Sequence, residues 1–435
     1  MAHQAHAIPW HTLADHLKFT PNNSRYLDIT NLYPRCKPDQ GKQLQHFARV
    51  FASVLTEYSV VERRKYAAEY TAPEDSEVII SDTTAKNIEK VMREYTKAKI
   101  KQDPDAEKDP LRPRKRTIEP WIDSSTYNDC HPCDSLLETD ELLRTLILYG
   151  EMDTVFRIAC HPQVRLTKMW RQGNRFAFDI EGYGLCELKE TALLAYICLN
   201  VFHLKPELYD PIMRARMLSR KATQNESMVS PEMYDYRRTA AYQRMLVYCT
   251  GIGYSYPHYG AHKIPHREFF GVPHGMYINR TQWRTPCPTD PVIYGRAHLN
   301  ALTNKNFPHQ YVPGKSDIPV VIALFRKCGL PPEIALQILD LAEYIPRGRL
   351  YIRDDPLHLD NAEELKKYLG YCWKLLVRID MTLKANGQWL DWESEVADAV
   401  YKLFGQAYPK MSEVVVDYGT ERQDVAERRA RRRFV

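Results

Sequence analysis

Four side chains in this sequence are of the types that hold zinc. Cys130 and Cys133 form a Cys-x-x-Cys pair, and Cys160 is followed by His161. Zinc takes thiolate and imidazole in a tetrahedral array, and two closely spaced sulfurs can reach one ion. Cys130, Cys133, Cys160 and His161 are therefore the candidate metal ligands, although the same residues also suit a buried thiol with no metal. A second set, His258, His262 and His266, falls at a spacing that would place the imidazoles on one helical face. Pro257, Gly260 and Pro265 sit among them and oppose a helix, so a loop whose histidines bind nothing is expected there. Gly251-Ile252-Gly253 is half of a dinucleotide fingerprint, but it follows a helical pattern and lacks the third glycine. No phosphate-binding loop, nucleophile elbow or His-Glu-x-x-His segment occurs. The expectation is a protein without a catalytic site, with zinc the one cofactor its residues suggest.

Composition sets the frame for those side chains. The chain has 435 residues, 44% of them hydrophobic and 26% charged, which is enough apolar surface for a sizeable core. At roughly 150 residues per domain, that length suggests about two or three domains. Ten cysteines without a framework spacing point to free thiols in a reducing compartment. The first residues have neither the basic nor the apolar segment of a secretory signal, and no run is apolar enough to span a membrane. An intracellular protein, nuclear or cytoplasmic, is expected. Tyrosine, at 28 against 13 phenylalanines, suits half-buried surfaces as well as interfaces.

The elements that must position these groups read as mainly α: a multi-helix globular protein with a small β-hairpin and one long Gly/Pro/His/Tyr-rich loop region. Residues 1–100 form an N-terminal helical region, irregular up to residue 40. Leu44, Phe47, Phe51, Val54 and Leu55 then mark one helix, and Ser81 or Asp82 caps the next. Residues 101–120, with four prolines among charges, read as a linker. Residues 121–250 form a central helical domain. There Thr139-Asp140-Glu141 looks like a helix start, the acids offsetting the helix dipole, and Gly150 looks like its stop. Residues 164–181 around Gly173-Asn174 suggest the hairpin. Residues 191–204 are apolar on most faces and should be a central buried helix. Ser230-Pro231-Glu232 opens a further helix. The irregular segment is 251–317, the C-terminal helical region is 318–405, and 406–435 is a basic tail.

Net charge is only +5, but the basic residues are clustered. Arg112, Arg114, Lys115 and Arg116 lie in the expected linker, and Arg429 and Arg432 lie in the tail. Exposed clusters of this kind can contact phosphate. A nuclear regulatory protein touching nucleic acid through 112–116 and 422–433 is therefore one functional expectation.

The other comes from the C-terminal region. Leu330-Pro331-Pro332-Glu333-Ile334, with Leu336, Ile338, Leu339 and Leu341, resembles the opening of an F-box. Tyr371-Cys372-Trp373-Lys374-Leu375-Leu376 resembles its closing segment. Residues 330–377 are in this way similar to F-box-like proteins of filamentous fungi. That resemblance implies a non-enzymatic adaptor, a substrate receptor docking on the small Skp adaptor subunit of a cullin ubiquitin ligase. Pro331, Ile334, Leu336, Leu339 and Trp373 would meet the partner, with the helix lying in a groove.

Overall fold

The computed structural model describes residues 5, 7–21, 30–34, 40–100, 109–126, 134–164, 166, 185–222, 234–251, 260–272, 314, 317–342 and 348–405. At its centre is a helix apolar on every side, Leu185–His203, whose buried residues run from Leu185 to Phe202 around the whole circumference. A helix of that composition can only be stable when surrounded. Its neighbours are Ala362–Ala385, Ala240–Thr250, Trp392–Phe404 and the short helix Trp10–Asp15. Gln40–Arg63 packs in turn on 362–385 and 392–404.

The described residues hold fourteen α-helices and one two-stranded antiparallel sheet. In chain order the helices are α1 (Trp10–Asp15), α2 (Gln40–Arg63), α3 (Asp82–Ile100), α4 (Glu119–Thr126), α5 (Asp134–Tyr149), α6 (Met152–Ala159) and α7 (Leu185–His203). Then come α8 (Pro211–Ala222), α9 (Ala240–Thr250), α10 (Ile264–Phe270), α11 (Asp317–Lys327), α12 (Pro332–Leu341), α13 (Ala362–Ala385) and α14 (Trp392–Phe404). The fold is mainly α, as the helical periodicity of the sequence requires.

One large cluster of buried side chains runs from Ala5 to Phe404, and each of the first five sequence spans contributes to it. Aromatic rings tie its layers together. Trp10 of α1 meets Phe47 at 5.4 Å and Tyr196 at 5.5 Å between ring centroids. Trp373 of α13 meets Tyr196 at 5.3 Å and Phe51 at 5.6 Å. Three of these pairs are edge-to-face and Tyr196–Trp373 is tilted, and such contacts add to the burial of the rings themselves.

Several helix ends obey the local rules. Ser81 Oγ accepts from Thr84 N–H at 3.1 Å and caps α3. Asp391 Oδ1 accepts from Ser394 N–H at 3.2 Å and caps α14. Gly150 ends α5 at φ +79°, and a Cβ there would lie 2.5 Å from the Arg378 guanidinium. Arg378 donates to the carbonyls of Ile147 and Leu148 at 3.1 and 2.6 Å, closing off that C-terminus.

Elsewhere the structure departs from the sequence reading. The first forty residues hold α1 and a hairpin, Leu17–Thr20 (β1) against Asn31–Pro34 (β2), with Leu17 opposite Pro34. Asn31 locks that hairpin to the helices, donating to Leu403 O at 2.9 Å and accepting from Ala241 N–H at 3.1 Å. The hairpin expected at 164–181 and the helix start at 230–232 lie outside the described residues. The first turn of α9 instead follows Thr239, whose hydroxyl oxygen accepts from Tyr242 N–H at 3.3 Å. The linker expectation fails for 109–120. Val78 and Thr117 form a β-bridge, Ile118 is buried, and α4 starts at Glu119.

Candidate functional site

Two places concentrate chemistry: an exposed apolar hairpin and a buried ionic cluster. The hairpin is α11 and α12. Its turn satisfies the end of α11 in the manner of a Schellman motif. Gly329 has φ +81°, Gly329 N–H donates to Arg326 O at 3.0 Å, and Leu330 N–H donates to Phe325 O at 3.0 Å. Pro331 and Pro332 then start α12 with a fixed φ and no wasted donor. Asp317, at the start of α11, accepts from Arg353 at 2.8 Å and from Gly314 N–H at 2.5 Å. The hairpin is thus held rigid at its turn and at its base.

Its side chains divide unevenly. Ala335 and Leu339 are buried, and α11 buries none. Val320 (58%), Leu324 (56%), Ile334 (40%), Leu336 (52%) and Leu341 (85%) are exposed. Single exposed hydrophobics need no explanation, but five on one 25-position hairpin are a concentration that makes it the candidate interaction surface.

The buried cluster is built from α5, the start of α7 and the segment 260–267. Glu141 and Arg144, one turn apart on α5, form a buried ion pair. Glu141 Oε2 also accepts from Ala261 N–H at 2.6 Å. Glu187 lies 3.1 Å from Lys263 Nζ and 3.4 Å from His262 Nε2. His266 Nδ1 meets the Tyr368 hydroxyl at 2.6 Å, and the Phe269 ring stacks on Tyr368 at 3.8 Å. Arg267 donates to Thr250 O. Burial pushes the Asp140 carboxyl up to about 8 against the pull of Arg144. Burial also raises Glu141, while Arg144 and the Ala261 N–H oppose it. The same cost of charging in a low dielectric drives His262 well below its usual value and His266 down to about 3. Both imidazoles are neutral at pH 7.

Residues 11–414 match the family profile described as gramillins biosynthetic cluster protein GRA5. The chain belongs to that family. No curated protein and no solved structure matches it. GRA5-family membership covers both the hairpin and the ionic cluster, so each is part of what the family profile spans.

The side chains singled out in the sequence scatter over this GRA5-family fold. Pro331, Ile334 and Leu336 lie at the surface, whereas Leu339 faces inward. Trp373 is core, boxed by Phe51, Tyr58 and Tyr196, and cannot meet a partner in the folded chain. Arg114 is forked onto Glu119 through two 3.1 Å bonds, and Arg116 reaches Asp82 at 2.6 Å and Ile80 O at 2.9 Å. Those two arginines of the 112–116 cluster are engaged within the fold. Arg112 is exposed and Lys115 half-buried. Arg429, Arg432, Cys130, Cys133 and His258 lie outside the described residues. Cys160 bonds Arg157 O at 3.2 Å through its thiol, and His161 Nδ1 accepts from Gln163 N–H at 3.3 Å. Among the described residues no group of three His, Cys, Asp or Glu side chains could hold a metal ion, and no helix could cross a membrane.

The sequence reading missed the ionic cluster. Asp140 and Glu141 are not in the first turn of α5; the helix begins upstream, at Asp134. Pro265 does not break a helix but opens α10, which Gly271 closes at φ +69°. The Pro-start, Gly-stop pairing was the signal that would have found it.

Proposed function

We propose that this protein works through protein contacts in a biosynthetic cluster of the kind its family is named for, with the hairpin 317–341 as the docking surface. The observation that carries the reading is the outward placement of Val320, Leu324, Ile334, Leu336 and Leu341 on a preorganised two-helix unit. Val320 and Leu324 lie one turn apart and Ile334 and Leu341 two turns apart. That is the anchor spacing of a helix face entering a hydrophobic groove. The occupant is therefore a protein partner offering an apolar groove. The footprint is not that of the F-box resemblance, because Leu339 and Trp373 face the chain's own interior. Free thiols at Cys160, Cys186, Cys198, Cys249, Cys328 and Cys372 support a reducing, intracellular setting.

The test is pairwise co-expression of the full chain with each protein encoded in its own biosynthetic cluster, and separately with a Skp subunit. Wild type is compared with an Ile334→Asp/Leu341→Asp variant. One partner should co-purify with wild type, and its recovery should fall at least tenfold with the variant while the melting temperature holds. Recovery of no partner, or equal recovery with the variant, overturns the reading. Self-association alone, seen by light scattering, also overturns it.

A further inference from the structure

The chemistry left unexplained lies inside the core. Arg144 uses one terminal nitrogen on Glu141, while its Nε and Nη2 are buried without a hydrogen-bond partner. Those two nitrogens form one edge of the guanidinium, the edge whose parallel N–H groups match the two oxygens of a carboxylate. Asp140 lies one turn earlier on the same helix, and both its carboxyl oxygens are likewise buried and unpaired. His262, fully buried, has no hydrogen bond at either ring nitrogen; the Glu187 carboxylate lies 3.4 Å from its Nε2. A buried polar group left unsatisfied is costly, because it has lost its water and gained nothing in return. Native cores keep few such atoms. Elsewhere among the described residues they occur one to a side chain, as at Asn200 Oδ1 and Gln243 Oε1, whereas these three side chains carry six. Asn361, by contrast, makes four hydrogen bonds to the backbone of Tyr351, Ile352 and Asp355.

The unpaired atoms are complementary in kind. Arg144 supplies two donors, a protonated Asp140 a donor and an acceptor, and a neutral His262 one of each. Charge selects further. Arg144 is positive and spends only one terminal nitrogen on Glu141, so its unpaired edge favours an anion, while Glu141 and Glu187 nearby limit the charge that anion can carry. A doubly charged phosphate would be repelled by Glu141 and Glu187. We propose that Arg144, Asp140 and His262 form a buried receptor for one small monocarboxylate. Arg144 holds its two oxygens side by side, Asp140 donates its proton as a hydrogen bond, and His262 completes the set. This site is independent of the docking hairpin.

The probes are sodium acetate and glycine, titrated into full-length protein at constant ionic strength, with sodium chloride and sodium sulfate as controls. Acetate or glycine should raise the melting temperature saturably, and the two controls should not. Arg144→Lys keeps the charge but removes the flat edge, and should weaken the response at least tenfold. Saturation-transfer NMR of 13C-acetate on wild type gives a readout that needs no variant to fold. A response equal in chloride or sulfate, a response unchanged in Arg144→Lys, or no transfer to 13C-acetate overturns the proposal. So does a crystal structure grown with acetate that shows only ordered water on Arg144 Nε and Nη2.

Discussion

Ala261 donates its backbone N–H to Glu141 at 2.6 Å, although 120 positions separate the two residues. That bond sets the segment 260–267 against α5 and brings Glu141, Arg144, Glu187, His262 and Lys263 into one cluster. Glu141 is held from both sides, by Arg144 and by this N–H.

Gly260 is where that rigidity can be read. A Cβ at this position would lie 2.4 Å from Glu141 Oε1 and 2.5 Å from His262 Nδ1. Gly260→Ala should destabilise the fold by about 1–3 kcal/mol, the usual range for overpacking a core. Thermal or urea denaturation checks this. A variant as stable as wild type would show that the approach of 260 to α5 is loose.

The buried acid and the buried imidazoles give opposite pH slopes. Asp140 is raised to about 8 from an unfolded value near ~3.9, so it favours the folded state most at low pH, and that contribution is lost as pH rises toward 8. His262 and His266 are depressed below ~6.5, so their contribution is full above that value and is lost as pH falls. Between pH 6.5 and 8, of these three groups, Asp140 sets the slope. Asp140→Asn should flatten the fall in stability over that range and melt higher than wild type at pH 8. Parallel curves for the two proteins would contradict the burial of an unpaired carboxyl.

The segment 330–377 contains one surface half and one core half, and two substitutions separate them. Trp373→Ala should cost about 3–5 kcal/mol, since the ring fills the space between Phe51, Tyr58 and Tyr196. Ile334→Asp should change stability by no more than about 0.5 kcal/mol, because the side chain is already wet. Chemical denaturation of both variants checks the pair; a large loss for Ile334→Asp would mean that α12 is covered.

Asn361 organises the entry to α13. It accepts from Tyr351 and Ile352 N–H at 2.7 and 3.0 Å and donates to the carbonyls of Ile352 and Asp355, both at 2.7 Å. Asn361→Ala should cost about 2–4 kcal/mol, several net hydrogen bonds at roughly 1 kcal/mol each. It should also speed amide exchange at residues 351 and 352, measured by hydrogen–deuterium exchange. Unchanged protection there would sink the assignment.

Much of this helical scaffold is legible in the sequence, for physical reasons. The apolar run 191–204 can only be a buried helix. Ser81 and Gly150 announce an entry and an exit, and the stripe of α13 carries its own 3.6-residue period. The sequence does not show which polar residues are buried. Asp140 and Glu141 beside Thr139 look the same whether they cap a helix or sit inside one; the cases are distinguished by the start of α5 at Asp134 and by the distant Ala261 N–H on Glu141. Trp373 misled for the converse reason: an aromatic ring near a surface-like motif carries no mark of which side it faces. The basic cluster 112–116 read as free because its acidic partners Asp82 and Glu119 are set by tertiary folding.

The docking hairpin is tested most directly by a photo-crosslinking amino acid placed at position 341 in living cells, with position 75, exposed and outside the hairpin, as the control. The expected result is one discrete partner adduct from 341 and none from 75, lost when Ile334→Asp and Leu324→Asp are added. No adduct at 341, or the same adduct from both positions, would contradict a docking role for the hairpin.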